Sequence, residues 1–194
     1  VVWKTEPSKD GKPTKVLYNP HAPSSRASST DSNTWADYTK SRKVADMVPG
    51  IDGIGFVFNG DGYVFIDFDK VRNADTGEID PAAMEEITSF DSFAEVSPSG
   101  TGVHVLCRGK IPGDRGRNNQ KAGREIYTTG RFATVTGEHV TGTPETINEA
   151  QAVIDPFYSK YWPESPPEPT RSSPAPTPTP DTLTDDQVIS RVKR

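Results

Sequence analysis

The chain has 194 residues, of which 32% are hydrophobic and 25% are charged, and its formal net charge is −5. This length is sufficient for one substantial domain with an appendage. No apolar run approaches the roughly 20 residues of a membrane-spanning helix. The single cysteine, Cys107, excludes an internal disulfide and has no CxxC partner for structural zinc. We therefore expect a soluble protein in a reducing compartment, by default the cytoplasm, with no membrane partner.

The first part of the chain predicts a hairpin followed by a helix. Residues 3–6 and 15–18 flank the turn sequence KDGK, which favours two paired strands. After a polar loop over 19–32, a helix is predicted over 34–46 because capping residues precede it. Its predicted core-facing side chains are Trp35, Tyr38 and Val44.

The next stretch predicts a second hairpin and a second helix. Residues 53–58 and 63–69 surround the sequence NGDG, a strong signal for a tight turn between paired strands. The second of these strands carries Asp67 and Asp69 at its far end. A helix is predicted over 81–90, because a proline at its start suits the first turn of a helix.

The second half predicts four short strands and a closing helix. The strands are 92–96, 103–107, 125–128 and 131–136. A helix over 146–162, interrupted or ended near Pro156, closes the domain. Because the helices interrupt the strands irregularly, we expect an α+β fold with a mixed sheet flanked by helices, rather than a doubly wound fold.

A basic loop lies between the second and third of these strands. Residues 108–124 have a net charge of +5, which leaves −10 for the rest of the chain. The cations are Arg108, Lys110, Arg115, Arg117, Lys121 and Arg124. A local excess of this kind can contact a nucleic-acid backbone despite the acidic average. The alternative is a solvated mobile loop.

The C-terminal part has the composition of a tether. Eight of the chain's 18 prolines lie in residues 163–180, and such a segment is expected to be extended, with a reach of up to ~55 Å. We therefore predict a domain over 1–162, a linker over 163–181, and the truncated start of a helical domain over 182–194.

The sequence FIDFD brings two carboxylates into a strand that is otherwise apolar. Residues two apart in a strand share a face at a spacing of about 6.5 to 7 Å, so Phe65, Asp67 and Asp69 point the same way. Neighbouring carboxylates repel unless solvent or a cation separates them, and hard divalent cations take oxygen ligands. This pattern indicates a metal site, and the alternative is a strand end that enters a polar turn.

A second informative stretch is SPSGTGVH, a turn of small residues that leads into a strand. Backbone N–H groups in such a turn, the hydroxyls of Ser97 and Ser99, and His104 can together bind phosphate. The alternative is a hairpin turn with a core histidine. Glu125, in REIY, is a third candidate, and a charged surface position is its alternative.

Together these motifs resemble the archaeo-eukaryotic primase superfamily, whose strand motifs appear here in order as FIDFD, GVH and EIY. The chain is similar to the bifunctional primase-polymerase domains of phage and plasmid replication proteins. The similar segments are KVLYNP, RASSTDSNTW, GIGFVF, FIDFDK, EVSPSGTGVHV and REIYTTGRFATVTG, over roughly residues 3–140. Several linked motifs in one order make this resemblance specific.

The resemblance implies a fold related to the RNA-recognition-motif sheet and a template-directed nucleotidyltransferase. It implies two Mg²⁺ or Mn²⁺ ions held by Asp67, Asp69 and Glu125. It also implies a nucleotide-phosphate contact at His104. Supporting nucleotide contacts are implied at Ser97, Ser99 and Arg131.

The implied partners are a single-stranded DNA template with its primer, dNTP or NTP, and C-terminal helical and helicase domains of a parent protein. The implied setting is the cytoplasm of a prokaryote or of a virus-infected host cell. Two alternatives remain: a noncatalytic single-stranded nucleic-acid-binding module of a replication helicase, and a rolling-circle nicking enzyme. The latter needs a His-hydrophobic-His pair, which the sequence lacks.

Overall fold

A computed structural model describes residues 1–114 and 116–163 of the chain. The linker predicted over 163–181 and the helical segment predicted over 182–194 lie outside these residues, apart from Pro163. The predicted domain boundaries therefore stay a prediction.

The described residues form ten strands in two five-stranded sheets. The strands are β1 Val2–Pro7, β2 Pro13–Asn19, β3 Ala22–Arg26, β4 Gly53–Asn59, β5 Tyr63–Phe68, β6 Ala94–Val96, β7 Val103–Arg108, β8 Arg117–Asn119, β9 Arg124–Tyr127 and β10 Thr129–Val135. The first sheet has the order β10-β4-β1-β2-β3, and the second sheet has the order β6-β7-β5-β9-β8. The helices are α1 Tyr38–Met47, α2 Pro81–Ser89 and α3 Gln151–Tyr161.

The predicted α+β class is confirmed, whereas the predicted mixed sheet is not what forms. All ladders between the named strands are antiparallel. For four of these eight ladders the physical reason is the connectivity: β1–β2, β2–β3, β6–β7 and β8–β9 are joined by short turns, which require opposite strand directions. The likeness to the RNA-recognition-motif sheet stays a prediction.

The predicted second hairpin is wrong, although both of its strands exist. β4 pairs with β1 and β10 in the first sheet, whereas β5 pairs with β7 and β9 in the second. The intervening NGDG sequence contains Gly60 and Gly62 at φ of +84° and +90°, a region that glycine enters without steric cost. These glycines turn the chain from one sheet into the other, so the turn connects two layers.

The first helix begins later than predicted. Ser32–Thr34 forms a separate 3-10 turn, and α1 starts after Asp37, whose side chain accepts a hydrogen bond from the Lys40 N–H at 2.7 Å. Val44 is buried as predicted, but Tyr38 is 69% exposed. Six residues at 100° each place the two side chains on different faces of the helix.

The other helices are close to the predicted positions. Asp80 caps α2 by accepting from the Ala83 N–H at 2.9 Å. α3 begins at Gln151 rather than near 146, and it continues through Pro156. The proline removes one backbone hydrogen bond, and burial of apolar side chains of α3 against the second sheet offsets that loss. No helix among the described residues is long and apolar enough to cross a membrane.

Two segments predicted as loops contain strands. β3 lies in the polar loop over 19–32, and β8 lies in the basic loop over 108–124. Both are edge strands, where exposed polar side chains are tolerated. Because β3 and β8 are polar in composition, the sequence did not predict them as strands.

The second sheet separates α2 and α3 from the first sheet, whereas α1 packs against β1 and β4 of the first sheet. On one face, Val64, Ile66 and Phe68 of β5 are fully buried in a core shared with α2 and α3. On the other face, Phe65 of β5 packs in a cluster with Phe58 and Ala133 of the first sheet. Strand alternation thus sends Asp67, two residues beyond Phe65, into the space between the two sheets.

Candidate active site

A row of polar side chains crosses the second sheet, with one residue from each strand. In spatial order the row is Glu95 of β6, His104 of β7, Asp67 of β5, Glu125 of β9 and Asn118 of β8. Each is directly opposite the next in the strand register, so adjacent Cβ atoms are about 4.5–5.5 Å apart on one face. We call these five residues the polar row.

The polar row lies along a cleft of about 760 Å³ between the two sheets. All of its members except Glu95 line the cleft. The first sheet contributes Lys15 of β2 and Arg131 of β10. The cleft therefore has carboxylates on one wall and two cationic side chains on the other.

Asp67 is the centre of this arrangement, and no other described residue forms a hydrogen bond to its carboxylate. Burial is the main reason that the pKa of Asp67 is raised to about 6; the charge of His104 opposes this rise, and the charges of Glu125 and Asp69 contribute to it. Two directly opposed carboxylates are unfavourable in a sheet. Asp67 and Glu125 thus form an acidic pair that a bound cation would stabilise.

Glu125 is held in position by two donors. The amide of Asn118 donates to Oε1, and the Tyr127 hydroxyl donates to Oε2 at 2.6 Å. Burial and this bond to Glu125 raise the pKa of Tyr127 to about 12, so the phenol stays a donor at neutral pH. Each oxygen keeps lone pairs for a further partner.

His104 is fixed on two sides. Its Nδ1 lies 3.2 Å from Oε1 of Glu95, and its ring packs edge-on against Phe65 with centroids 4.9 Å apart. The residue is only 4% exposed, yet it lines the cleft. Nε2 is the ring nitrogen left to face a ligand.

The structure brings together four of the seven residues that the sequence singled out. Asp67, His104 and Glu125 lie in the polar row, and Arg131 faces them across the cleft with its guanidinium over the Tyr127 ring at 5.2 Å. Their chemical roles stay predictions.

The other three lie outside the cleft lining. Asp69 is exposed just beyond the end of β5, where its N–H donates to the Gly123 carbonyl at 2.9 Å. Ser97 is buried, and its hydroxyl accepts from the Gly102 N–H at 3.1 Å and bonds Ser99 at 2.9 Å. Both serines therefore order the turn between β6 and β7, and their predicted nucleotide contacts stay untested.

The donor chemistry of the acidic pair suits a divalent cation, but the described residues hold no ready-made group of three His, Cys, Asp or Glu ligands. Carboxylate oxygens are the ligands that Mg²⁺ and Mn²⁺ prefer. Mg²⁺ is usually bound by one or two carboxylates together with substrate phosphates and water. Asp67 and Glu125 match that pattern, with Asp69 close enough to influence the pKa of Asp67.

Comparison with known proteins adds independent information. No family model matches the chain. A curated protein described as the DNA primase-polymerase of Nitratiruptor phage NrS-1 is 32% identical over 199 aligned positions, which cover the whole chain. The chain is therefore homologous to part of a phage primase-polymerase. The match spans 26% of that relative's length, and it confirms the resemblance that the motifs predicted.

Three residues in or beside the cleft of this primase-polymerase homologue were not predicted from the sequence: Lys15, Glu95 and Asn118. Lys15 Nζ donates to the Thr134 hydroxyl at 3.2 Å, and burial lowers the pKa of its ammonium while the charge of Asp67 raises it. The signal for Glu95 was a charged residue inside the apolar segment FAEV. Lys15 and Asn118 stand in polar surroundings and carried no comparable signal.

The basic loop of this homologue is partly structural. Arg124 is buried and its guanidinium lies 3.1 Å from Oε2 of Glu86 on α2. The Arg108 guanidinium stacks on Tyr63 at 4.4 Å, and Arg117 donates to the hydroxyl of Tyr158 on α3 at 2.9 Å. At least three of the six cations thus bind other parts of the protein, which leaves fewer of them for a nucleic-acid backbone.

Proposed function

We propose that this domain is a template-directed nucleotidyltransferase, a primase-polymerase that acts in DNA replication. The observation that carries the proposal is the acidic pair of Asp67 and Glu125, placed opposite Lys15 and Arg131 across one cleft. The name of the homologous phage protein supports the reaction class. We extend the proposal to a phage or plasmid setting, which the resemblance implies.

In the proposed reaction, the 3′-hydroxyl oxygen of a primer forms a bond to the α-phosphorus of an incoming nucleotide. The bond to the β-phosphate breaks, pyrophosphate leaves and the hydroxyl proton is released. Two bound Mg²⁺ or Mn²⁺ ions would supply charge neutralisation and activation of the hydroxyl. Asp67 and Glu125 would hold them, with Asp69 beside Asp67.

The other side chains would position the triphosphate. Phosphoryl transfer depends mainly on positioning and electrostatic stabilisation, and this cleft offers donors on both walls. His104 presents Nε2 from the second sheet, while Lys15 and Arg131 present cations from the first. A triphosphate between the walls would contact the metal ions on one side and the cations on the other.

The test is incorporation of labelled nucleotide on a primed single-stranded DNA template, with dNTPs and NTPs assayed separately. Glu125→Gln should lower the rate by about 100-fold or more, because a metal ligand is lost while the fold is kept. Glu85→Gln, on the exposed side of α2, is the matched control and should retain full activity. Mn²⁺ affinity, measured by calorimetry without nucleotide, should fall in Glu125→Gln alone.

The possible results separate the proposed activity from its alternatives. DNA binding without incorporation by the wild type would favour a noncatalytic single-stranded nucleic-acid-binding module. Metal-dependent cleavage of DNA with a covalent protein adduct would favour a nicking enzyme. Unaltered incorporation by Glu125→Gln would show that Glu125 is not a metal ligand.

The activity of the longer protein is a separate proposal, because the chain spans about a quarter of the relative's length. We expect the partners to include a template, its primer and dNTP or NTP. Initiation without a primer requires two nucleotides and a template to be ordered together. Further helical and helicase domains of the parent protein would assist that step.

A further inference from the structure

Glu95 is a fully buried carboxylate at the end of the polar row, with 0% exposure. It accepts backbone hydrogen bonds from Thr136 N–H at 3.1 Å and Gly137 N–H at 2.9 Å, both to Oε2. Its Oε1 lies 3.2 Å from Nδ1 of His104. The side chain thus joins β6, β7 and the segment that follows β10.

These contacts determine which side of the imidazole carries a hydrogen. The backbone N–H groups are donors only, so Glu95 must accept from them, and an ionised carboxylate is acceptor-only. Nδ1 of His104 must then be the donor in its bond to Oε1. A ring held in this way has Nε2 on the side of the cleft, because the two nitrogens lie on opposite sides of the ring.

The packing around His104 does not by itself give this orientation. Phe65 contacts the ring edge-on, and an apolar contact cannot distinguish the two ring nitrogens. Glu95 is the partner that makes the distinction. The carboxylate would also compensate the charge of a ring that donates at both nitrogens, once Nε2–H bonds a phosphate oxygen.

We infer that Glu95 is a positioning residue for nucleotide binding, which acts through His104 by holding Nδ1 and directing Nε2 at the triphosphate. The inference rests on the proposed function for its substrate. It assigns Glu95 no contact with the nucleotide or the metal ions, because Glu95 does not line the cleft.

The first measurement needs no enzymatic activity. Nitrogen-15 NMR of the imidazole in the wild type should show a hydrogen on Nδ1 of His104. In Glu95→Gln, the amide oxygen should accept from the backbone N–H groups and the amide NH₂ should donate to Nδ1. The hydrogen of the neutral ring should therefore move to Nε2. A wild-type ring that lacks a hydrogen on Nδ1 would overturn the inference.

The second measurement is a double-mutant cycle on the KM for nucleotide. His104→Ala should raise KM roughly tenfold, the loss of one hydrogen bond to a charged group. Glu95→Ala should raise it about three- to tenfold through lost preorganisation. Combining the two should raise KM no further than His104→Ala alone, because Glu95 acts only through the ring.

The control is Ser92→Ala, which also removes a buried polar group from the same region. The Ser92 hydroxyl donates to the Leu106 carbonyl at 2.6 Å and accepts from Asn148 N–H at 2.9 Å. It should cost stability and leave KM unchanged. Additive effects of Glu95→Ala and His104→Ala on KM would show that Glu95 acts independently of the ring, which would overturn the inference.

Failure of this inference differs from failure of the proposed function. If the wild type incorporates no nucleotide, the proposed function fails, and the NMR result still decides whether Glu95 fixes the ring. If the wild type is active but Glu95→Ala, folded, has normal KM, Glu95 is not a positioning residue. If Glu95→Ala does not fold, the wild-type and Glu95→Gln spectra decide.

Discussion

Asp67→Asn should make the metal-free protein more stable at neutral pH. Burial and neighbouring acidic charges raise the pKa of Asp67 from 3.8 to about 6 in the folded protein. Between these values the folded state binds more protons than the unfolded state, so the free energy of unfolding falls as pH rises. Above pH 6 the wild type carries the full cost of an ionised Asp67, which Asn avoids.

The size of this stability difference follows from the same two pKa values. The span from 3.8 to about 6, at about 1.36 kcal/mol for each pH unit, corresponds to about 3 kcal/mol as an upper bound. Urea denaturation in EDTA should therefore give a stability advantage of Asp67→Asn that grows from pH 4 to pH 7 by about 1–3 kcal/mol. Exposed Asp10, in the turn between β1 and β2, supplies the control Asp10→Asn, which should show no such trend.

Addition of Mg²⁺ at neutral pH should then make the wild type more stable than Asp67→Asn. A cation that binds only the folded state stabilises it by mass action, and Asp67→Asn lacks one carboxylate for that binding. A stability difference in EDTA that does not change with pH, or that favours the wild type at neutral pH, would refute the assignment of Asp67 as an uncompensated carboxylate.

Two further predictions use other contacts. Arg124→Ala should lower the free energy of unfolding by about 2–4 kcal/mol in urea, because it removes a buried side chain that bonds Glu86 and stacks on Phe68. Exposed Lys121→Ala should change the free energy of unfolding by less than about 0.5 kcal/mol. Equal effects would mean that the basic loop is uniformly solvated. Lys15→Met should raise the KM for nucleotide about three- to tenfold through loss of a phosphate contact. The control Lys4→Met, on the neighbouring strand but outside the cleft lining, should leave KM unchanged. An unchanged KM in Lys15→Met would exclude Lys15 from nucleotide binding.

Much of the local structure was predictable because it depends on neighbours in sequence. Alternation within FIDFD predicted a strand with Asp67 on one face and Ile66 in the core, and both are observed. The capping side chain of Asp80 and the following proline define the start of α2. The order of FIDFD, GVH and EIY, together with the longer similar segments over roughly residues 3–140, predicted the primase-polymerase relationship, which the homologous phage protein confirms.

Tertiary structure decided which strands pair and which side chains meet. The turn sequence between β4 and β5 is typical of a hairpin, yet β5 pairs with β7 and β9, where its apolar face joins the core that α2 and α3 cover. Glu95 and Arg124 have residue types that are usually exposed. Only the register that sets Glu95 opposite His104, and the approach of α2 to Arg124, show that both are buried and bonded. Sequence periodicity determines the face of a strand that a residue occupies, whereas its partners are set by contacts between residues far apart in the chain.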